Sequence, residues 1–251
     1  MSNLFGLDVL TKSFRLLRST KNWYEILLYH AGLKKRVILK TRKGVSFLYI
    51  PGFFNLEHIC EEPYRHVNVW GKDVIDVGAF NGDSAIYFSL KGARKVYAFE
   101  PFPMCFEIAR QNIKINGITN IVLFNQGLGA KEKYVRIDPQ YKSSTNSSIR
   151  EFAHGKPVLI RTLKSIVNEL QLKDAVLKLD CEGCEYEVLA HSECDVLYAF
   201  TEIIVEYHYK GYEMLVKKLV QCGFKVKYLK GNGEIVEGAV PDLGMILATR
   251  N

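Results

Sequence analysis

The sequence lacks any long apolar segment and any compact arrangement of cysteines. No apolar run approaches the roughly 18 residues that a membrane-spanning helix needs. The first residues, MSNLFGLDVLTK, have neither the basic start nor the apolar core of a secretory signal peptide. The six cysteines are scattered, so they do not indicate a disulfide framework. These absences predict a cytoplasmic protein whose cysteines are reduced thiols.

Acidic residues are scarce in the first 50 residues, which hold 10 Lys/Arg against 2 Asp/Glu. The rest of the chain holds 24 against 25, so the net charge of +7 comes from the N-terminal segment. Such a segment suits an anionic partner, either a membrane surface, a nucleic acid or a phosphate-linked substrate. The plainer alternative is a solvated basic face.

The order of apolar runs changes near residue 73. Before it, a helical segment precedes RVILKT and VSFLYI, which predict a hairpin around Lys43 and Gly44. After it, apolar strand runs alternate with helical segments: VIDVG, KVYAFE, NIVLFNQG, AVLKLD, EIIVEYH, FKVKYL and MILATR. This pattern predicts an α/β fold with a doubly wound, mostly parallel sheet over residues 71–251, after a small N-terminal α+β cap over residues 1–70. KYVRI and VLIRT, on either side of residues 143–148, predict an inserted strand pair.

The first strand of the sheet ends in a glycine-containing loop, Asp76 to Asp83, with the sequence DVGAFNGD. The loop lacks the G-x-G-x-x-G dinucleotide fingerprint and the Gly-Lys-Ser/Thr of a P-loop. Its glycines would let the backbone approach a ligand closely, and its acids suit a ligand with positive charge. S-adenosylmethionine, which carries a sulfonium and an ammonium group, fits these requirements.

The second strand ends in Glu100, 24 residues after Asp76. An acid at about this offset accepts hydrogen bonds from ribose hydroxyls in nucleotide-binding folds. Pro101 follows and could flank the adenine with Phe102. The cofactor-binding residues predicted along these two strand ends are Asp76, Gly78, Ala79, Phe80, Asn81, Gly82, Glu100 and Pro101.

The ends of two later strands carry Asp180 and Glu182, and Glu206 and His208. Carboxyl ends of neighbouring parallel strands meet at one edge of the sheet, so these side chains should share a pocket. We predict His208 as the base that accepts a hydroxyl proton, oriented by Glu206 or Asp180, with Asp180 also near the methionine part of the cofactor. Glu182 would share a face with Asp180 if the chain stays extended.

Several neighbouring residues have a plainer interpretation. Lys178, inside an apolar strand, should pair with an acid such as Glu202. Cys181 and Cys184 form a C-x-x-C without a second ligand pair, so packing cysteines are favoured over zinc or redox chemistry. A divalent metal held by Asp180, Glu182 and His208 is the less favoured alternative, and we predict no metal site.

Five segments, in this order and spacing, resemble the FkbM family of S-adenosylmethionine-dependent methyltransferases: VIDVGAFNGDSAIYF, VYAFEPFP, ARQNIKINGITNI, LKLDCEGCEYEVL and IIVEYH. The N-terminal segment resembles the variable cap of archaeal-type members. The resemblance implies a seven-stranded class I methyltransferase sheet with an antiparallel last strand. It also implies O-methylation of a hydroxyl, or of a carboxylate, on a sugar, glycan or other small-molecule or lipid-linked acceptor. It also implies that Gln126 and Gly127 lie at the adenine.

Two other functions stay open. The basic N-terminus would suit an RNA methyltransferase, but the acids around Asp180 would repel a phosphate backbone, so a nucleic-acid partner is not favoured. The other alternative is a non-catalytic module that uses the methyltransferase fold to bind a nucleotide or a protein.

Overall fold

The structure is a computed structural model that describes residues 17–138, 154–208, 211–241 and 243–250. The helices are α1 Tyr24–His30, α2 Glu57–Cys60, α3 Asp83–Leu90, α4 Pro103–Ile115, α5 Leu163–Leu170, α6 Cys184–His191, α7 Cys194–Leu197 and α8 Tyr212–Gln221. The strands are β1 Ile38–Lys40, β2 Ser46–Leu48, β3 Asp73–Val77, β4 Lys95–Phe99, β5 Ile121–Phe124, β6 Gln126–Leu128, β7 Lys133–Ile137, β8 Lys156–Arg161, β9 Ala175–Leu179, β10 Phe200–Tyr207, β11 Lys225–Leu229, β12 Ile235–Val236 and β13 Gly244–Thr249. Among the described helices, none is long and apolar enough to cross a bilayer.

The main sheet has the strand order β12-β11-β13-β10-β9-β3-β4-β5. Strands β3, β4, β5, β9 and β10 are parallel, and β13 runs antiparallel to both β10 and β11. The predicted doubly wound sheet with an antiparallel last strand is therefore confirmed, with the two-residue strand β12 added at one edge. Every residue of β3 and β9 is buried, as expected for central strands covered on both faces.

A second, three-stranded sheet joins β6, β8 and β7. It contains the predicted inserted pair, since β7 and β8 are antiparallel; residues 143–148 lie outside the described residues. The prediction of one strand over residues 120–127 is wrong, because the chain leaves the main sheet at Asn125. The Asn125 side-chain amide donates to the carbonyl oxygens of Glu100 and Pro101, at 2.9 and 3.0 Å, and β6 then begins the second sheet.

The predicted N-terminal hairpin is present as the antiparallel pair β1–β2. One side-chain amide in α4 and one at its C-cap hold it. Asn112 accepts from the Leu48 N–H, and Asn116 accepts from the Ser46 N–H and donates to the Ser46 carbonyl, all at 2.7–2.8 Å. Side chains on both sides of residue 70, including Phe47, Tyr64 and Ile86, form one buried cluster. The domain boundary near residue 70 remains a prediction, and the packing continues across it.

Four of the six cysteines are paired in two disulfides, Cys181–Cys184 and Cys194–Cys222. The prediction of reduced, merely packing cysteines is wrong for these four. The turn through Glu182 and Gly183 brings the first pair to a Cα separation of 5.5 Å, and the second pair lies 5.2 Å apart, both within disulfide reach. Sequence spacing could not show the second pair, because its cysteines are 28 residues apart.

Candidate active site

The loop after β3 is held by its own chain. Gly78 has a φ of +81°, and a Cβ there would lie 1.8 Å from the carbonyl oxygen of Asp180. The glycine is therefore required by the close approach of another strand end, in addition to any approach to a ligand. Phe80 also adopts a left-handed φ, of +46°. Such a conformation disfavours a large side chain, so the loop has a fixed, costly shape.

The remaining loop residues are buried and hydrogen-bonded. The Ala79 N–H donates to the Phe99 carbonyl at 3.1 Å. The Asn81 amide donates to the Asn55 carbonyl at 2.9 Å. Gly82, with a φ of +86°, packs so closely on Ala109 that a Cβ would lie 3.2 Å from it. Their cofactor roles remain predictions, and the contacts show how the chain holds the loop in place.

Asp76 is fully buried, and its charge is balanced from within the protein. One carboxylate oxygen lies 2.9 Å from the Lys178 ammonium, and the other accepts from the Ser84 hydroxyl at 2.7 Å. Lys178 also donates to the carbonyls of Val77 and Gly78, at 3.1 and 2.8 Å. The predicted Lys178–Glu202 pair is wrong, because Glu202 pairs with Lys72 at 3.2 Å. The neighbouring acids raise the pKa of Lys178 despite its burial, so it remains charged.

Glu100 directly follows the last residue of β4 and lies beside this loop. Its carboxylate accepts from the N–H groups of Phe80 at 2.8 Å and Phe102 at 2.9 Å. Burial raises the pKa of Glu100 to about 7, and the two N–H donors limit the rise. Each carboxylate oxygen keeps a further lone pair for a ligand hydroxyl. The sequence-predicted ribose-binding acid is thus preorganised next to Pro101 and the cofactor loop.

Gln126, predicted at the adenine, lies at the start of β6, next to buried Gly127. Its side-chain oxygen Oε1 is buried and has no hydrogen-bond partner among the described residues. Buried polar atoms are normally paired, so such an acceptor calls for a donor from outside the chain. An exocyclic adenine amine is a donor of this kind. The residues present therefore fit an adenosine cofactor.

The second half of the site surrounds His208, which follows β10. Its Nε2 lies 3.4 Å from Glu206 Oε1, 3.7 Å from Glu182 Oε1 and 3.8 Å from Asp180 Oδ1. Burial lowers the pKa of His208, but the three carboxylates outweigh it and raise the pKa to about 9. Burial and the nearby Asp180 charge raise the pKa of Glu206. The predicted grouping of these four residues is present in the structure.

Glu182 reaches this group by a different route from the expected one. Its φ is +59°, so the chain is not extended there, and the expectation that it shares a strand face with Asp180 is wrong. The turn swings its carboxylate towards His208 instead. Glu185 supports the turn, because its carboxylate accepts from the N–H groups of Cys181 at 2.6 Å and Gly183 at 2.7 Å.

Two residues that the sequence reasoning missed, His58 and Tyr64, extend the site from the N-terminal side. His58 Nδ1 lies 2.7 Å from Asp83 Oδ2, and His58 Nε2 lies 3.1 Å from the Tyr64 hydroxyl, which donates to Asp180 at 3.4 Å. Burial lowers the pKa of His58, but Asp83 outweighs it and the pKa rises to about 9. At neutral pH the imidazolium therefore donates to both neighbours. His58 lies in the short helix α2 and Tyr64 in the turn that follows it, and no sequence pattern singled them out.

Asp180, Glu185 and His208 could offer ligand atoms within 4.8 Å of one another to a metal ion. The donor set fits such an ion only partly. Glu185 already accepts two backbone N–H groups, and a raised pKa keeps His208 protonated, whereas a metal ligand must be the neutral imidazole. The chemistry of these donors favours proton transfer at His208 over metal binding.

Comparisons with known proteins show the family of the chain. The family model described as "Methyltransferase FkbM domain" matches residues 76–226, more than half of the chain. The chain is 28% identical over 164 residues to the ribosomal protein L11 methyltransferase of Carboxydothermus hydrogenoformans, covering 65% of this chain and 42% of that protein. The chain spans less than half the length of the curated relatives it matches.

Two solved structures share the fold. A methyltransferase FkbM from Methylobacillus flagellatus KT superposes with a TM-score of 0.50 and 12% identity, covering 70% of this chain and 43% of that chain. A putative methyltransferase complexed with SAH superposes with a TM-score of 0.50 and 10% identity, covering 86% and 56%. The class I methyltransferase sheet and the sequence match over residues 76–226 together show that the chain belongs to the FkbM methyltransferase family.

Proposed function

We propose that the protein is an S-adenosylmethionine-dependent methyltransferase that methylates a hydroxyl group on a sugar, glycan or other small or lipid-linked acceptor. The observation that carries the proposal is the group of three carboxylates around the His208 imidazole, next to the loop that ends at Asp83. Family membership supports the cofactor class, and the unpaired Gln126 oxygen and the Glu100 carboxylate supply contacts for its adenosine.

When bound, S-adenosylmethionine supplies an electrophilic methyl group on a positively charged sulfur. Transfer of this methyl group to an acceptor hydroxyl would release the hydroxyl proton, and the chain has to supply a base for it. His208 in its neutral form accepts that proton at Nε2. Glu206, Glu182 and Asp180 stabilise the resulting imidazolium, as their effect on its pKa indicates.

The second function of His208 and its carboxylates is to hold the acceptor. Methyl transfer requires the nucleophile in line with the bond that breaks, so positioning supplies a large part of the rate. Asp180 is itself fixed by the Tyr64 hydroxyl and by Lys178, 3.7 Å away. An acceptor hydroxyl bonded to this carboxylate would therefore be held at a defined place.

The proposal is tested with S-adenosylmethionine that carries an isotope-labelled methyl group. The protein is incubated with separate extracts of glycans, lipids and small metabolites, and products are identified by mass spectrometry. We expect labelled, base-stable methyl ethers from wild type and a loss of at least about a hundredfold in His208→Gln. Label on nitrogen or carbon would contradict O-methylation, and absence of cofactor binding by calorimetry would support the non-catalytic module.

A second candidate acceptor is a ribosomal protein. It is favoured by the curated relatives, which are named as ribosomal protein L11 methyltransferases. The acids around His208 would also suit a positively charged amine. The same assay with ribosomal proteins, and with ribosomal RNA in parallel, separates these acceptors, because label would then appear in protein or RNA.

A further inference from the structure

Helix α1 presents an exposed apolar face. Trp23, at the N-cap, and Leu27 are four residues apart, as are Tyr24 and Leu28, so the four side chains share one side of the helix. Their exposed fractions are 37%, 52%, 60% and 37%, and Leu33, just after the helix, is 77% exposed. No residue of α1 is buried. Contiguous exposed apolar side chains of this size commonly mark an interaction surface.

The opposite side fixes the orientation of α1. The Tyr29 ring packs against Tyr49, with ring centroids 5.6 Å apart. Just before the helix, the Asn22 amide donates to the Ile38 carbonyl and accepts from the Lys40 N–H, at 2.9 and 2.8 Å. The helix is therefore tied to β1, with its apolar face turned away from the rest of the described chain.

Basic residues flank this face along the sequence. Lys21 precedes the helix, Lys35 and Arg36 follow it, and all three are exposed. The only acid between residues 17 and 56 is Glu25, which is paired with Lys34 at 2.6 Å. The surface thus combines aromatic and aliphatic side chains with positive charge, and the one acid in this described segment is already paired.

We propose that α1 docks the protein on an anionic lipid surface. The apolar face would enter the boundary between headgroups and acyl chains, where tryptophan and tyrosine are favoured, and the basic residues would contact lipid phosphates. Exposed leucines favour lipid over nucleic acid, because they gain from an apolar environment and cannot pair with phosphates or base edges. The proposal holds for any acceptor, so it goes beyond the proposed function.

The test uses the full chain and one tryptophan as a probe. The chain has two tryptophans, so Trp70→Phe leaves Trp23 as the reporter and Trp23→Phe leaves Trp70 as its control. Vesicles of phosphatidylcholine alone are compared with vesicles containing equal parts of phosphatidylcholine and phosphatidylglycerol. We expect co-sedimentation with the anionic vesicles, weakened by salt, and a shift of Trp23 emission, but not of Trp70 emission, to shorter wavelength.

Surface variants then locate the docking face. Leu27→Ser combined with Leu33→Ser should reduce vesicle partitioning at least about tenfold. Lys35→Glu combined with Arg36→Glu should reduce it by a similar factor. The matched control is Leu90→Ser, at a leucine in α3 that is 58% exposed, and it should leave partitioning unchanged.

Three results would overturn the proposal. The first is no binding to the anionic vesicles. The second is an equal loss in the Leu90→Ser control. The third is that the wild type does not bind vesicles but self-associates or binds single-stranded RNA, and that the Leu27/Leu33 variant loses this binding. That result would assign the face to a second copy of the chain or to nucleic acid.

Discussion

The sharpest prediction concerns the proton on His208. Replacing Glu206 with glutamine keeps the size of the side chain and removes the carboxylate nearest to His208, whose Nε2 lies 3.4 Å from Glu206 Oε1. Burial alone would lower the pKa of this imidazole, so its rise to about 9 depends on the surrounding negative charge. We therefore expect Glu206→Gln to lower the pKa of His208.

The size of the change follows from the distance. Two unit charges 3.4 Å apart interact by roughly 5 kcal/mol at an effective dielectric constant of about 20. Asp180 and Glu182 remain in the variant and rearrangement absorbs part of this energy, so we expect a fall of about two pKa units, which corresponds to about 2.7 kcal/mol. His208 would then titrate near pH 7.

The assay needs no acceptor, because NMR follows the imidazole signals of the chain's six histidines against pH. His208→Gln identifies the His208 signal by its absence. His58 is the internal control: its main partner is Asp83, at 2.7 Å, so its pKa should stay near 9 in Glu206→Gln. A His208 signal that titrates near 6.5 in wild type, or that does not move in the variant, would refute the electrostatic reasoning.

The same pKa sets the pH dependence of the proposed reaction. With a pKa of about 9, only about 1% of His208 is neutral at pH 7. If neutral His208 is the base, kcat/KM should rise about tenfold per pH unit and level off near pH 9. In Glu206→Gln the plateau should begin about two units lower.

Three further predictions concern other parts of the site. Glu100→Gln should weaken S-adenosylmethionine binding by about ten- to a hundredfold in calorimetry, since hydrogen bonds to a charged group contribute about 1.5–3 kcal/mol; unchanged affinity would refute the ribose assignment. Tyr64→Phe should lower turnover about tenfold with cofactor affinity kept, because Asp180 loses a fixed donor; a loss confined to cofactor affinity would contradict this. Gly78→Ala should lower the free energy of unfolding by at least about 3 kcal/mol in thermal unfolding. Gly117→Ala is the control, because Gly117 has a similar positive φ but open space around it, and should cost about 1 kcal/mol. Equal losses would mean that backbone conformation alone explains both.

Much of the fold was predictable because its signals are local. The runs that became β3 and β9 are mostly apolar, and every residue in them is buried, as expected of central parallel strands. The carboxyl ends of such strands gather at one edge, and for this reason Asp180, Glu206 and His208 could be placed together without coordinates. The disagreements came where the backbone leaves a regular element, as at Asn125 and at Glu182.

Other features depend on contacts between distant segments, and no local sequence pattern indicates these contacts. We expected Lys178 to pair with Glu202, because the two residues lie on neighbouring strands. Lys178 pairs instead with Asp76 on β3, the strand on the other side of β9. His58 and Tyr64 precede the sheet and reach Asp180 through a chain of hydrogen bonds. Predicting such contacts requires the packing of the N-terminal segment on the sheet, which no spacing reveals.

The two halves of the site are mechanically connected through Lys178. Its ammonium donates to the carbonyls of Val77 and Gly78 in the cofactor loop, and it lies between the carboxylates of Asp76 and Asp180. A buried ion pair of this kind contributes little net stability, because desolvation offsets the attraction. Its value here is positional, because the end of β9 that precedes Asp180 cannot move without disturbing the loop after β3. Under the proposed function, in which the loop binds the cofactor and Asp180 holds the acceptor, this rigid connection would keep the two partners of methyl transfer in line.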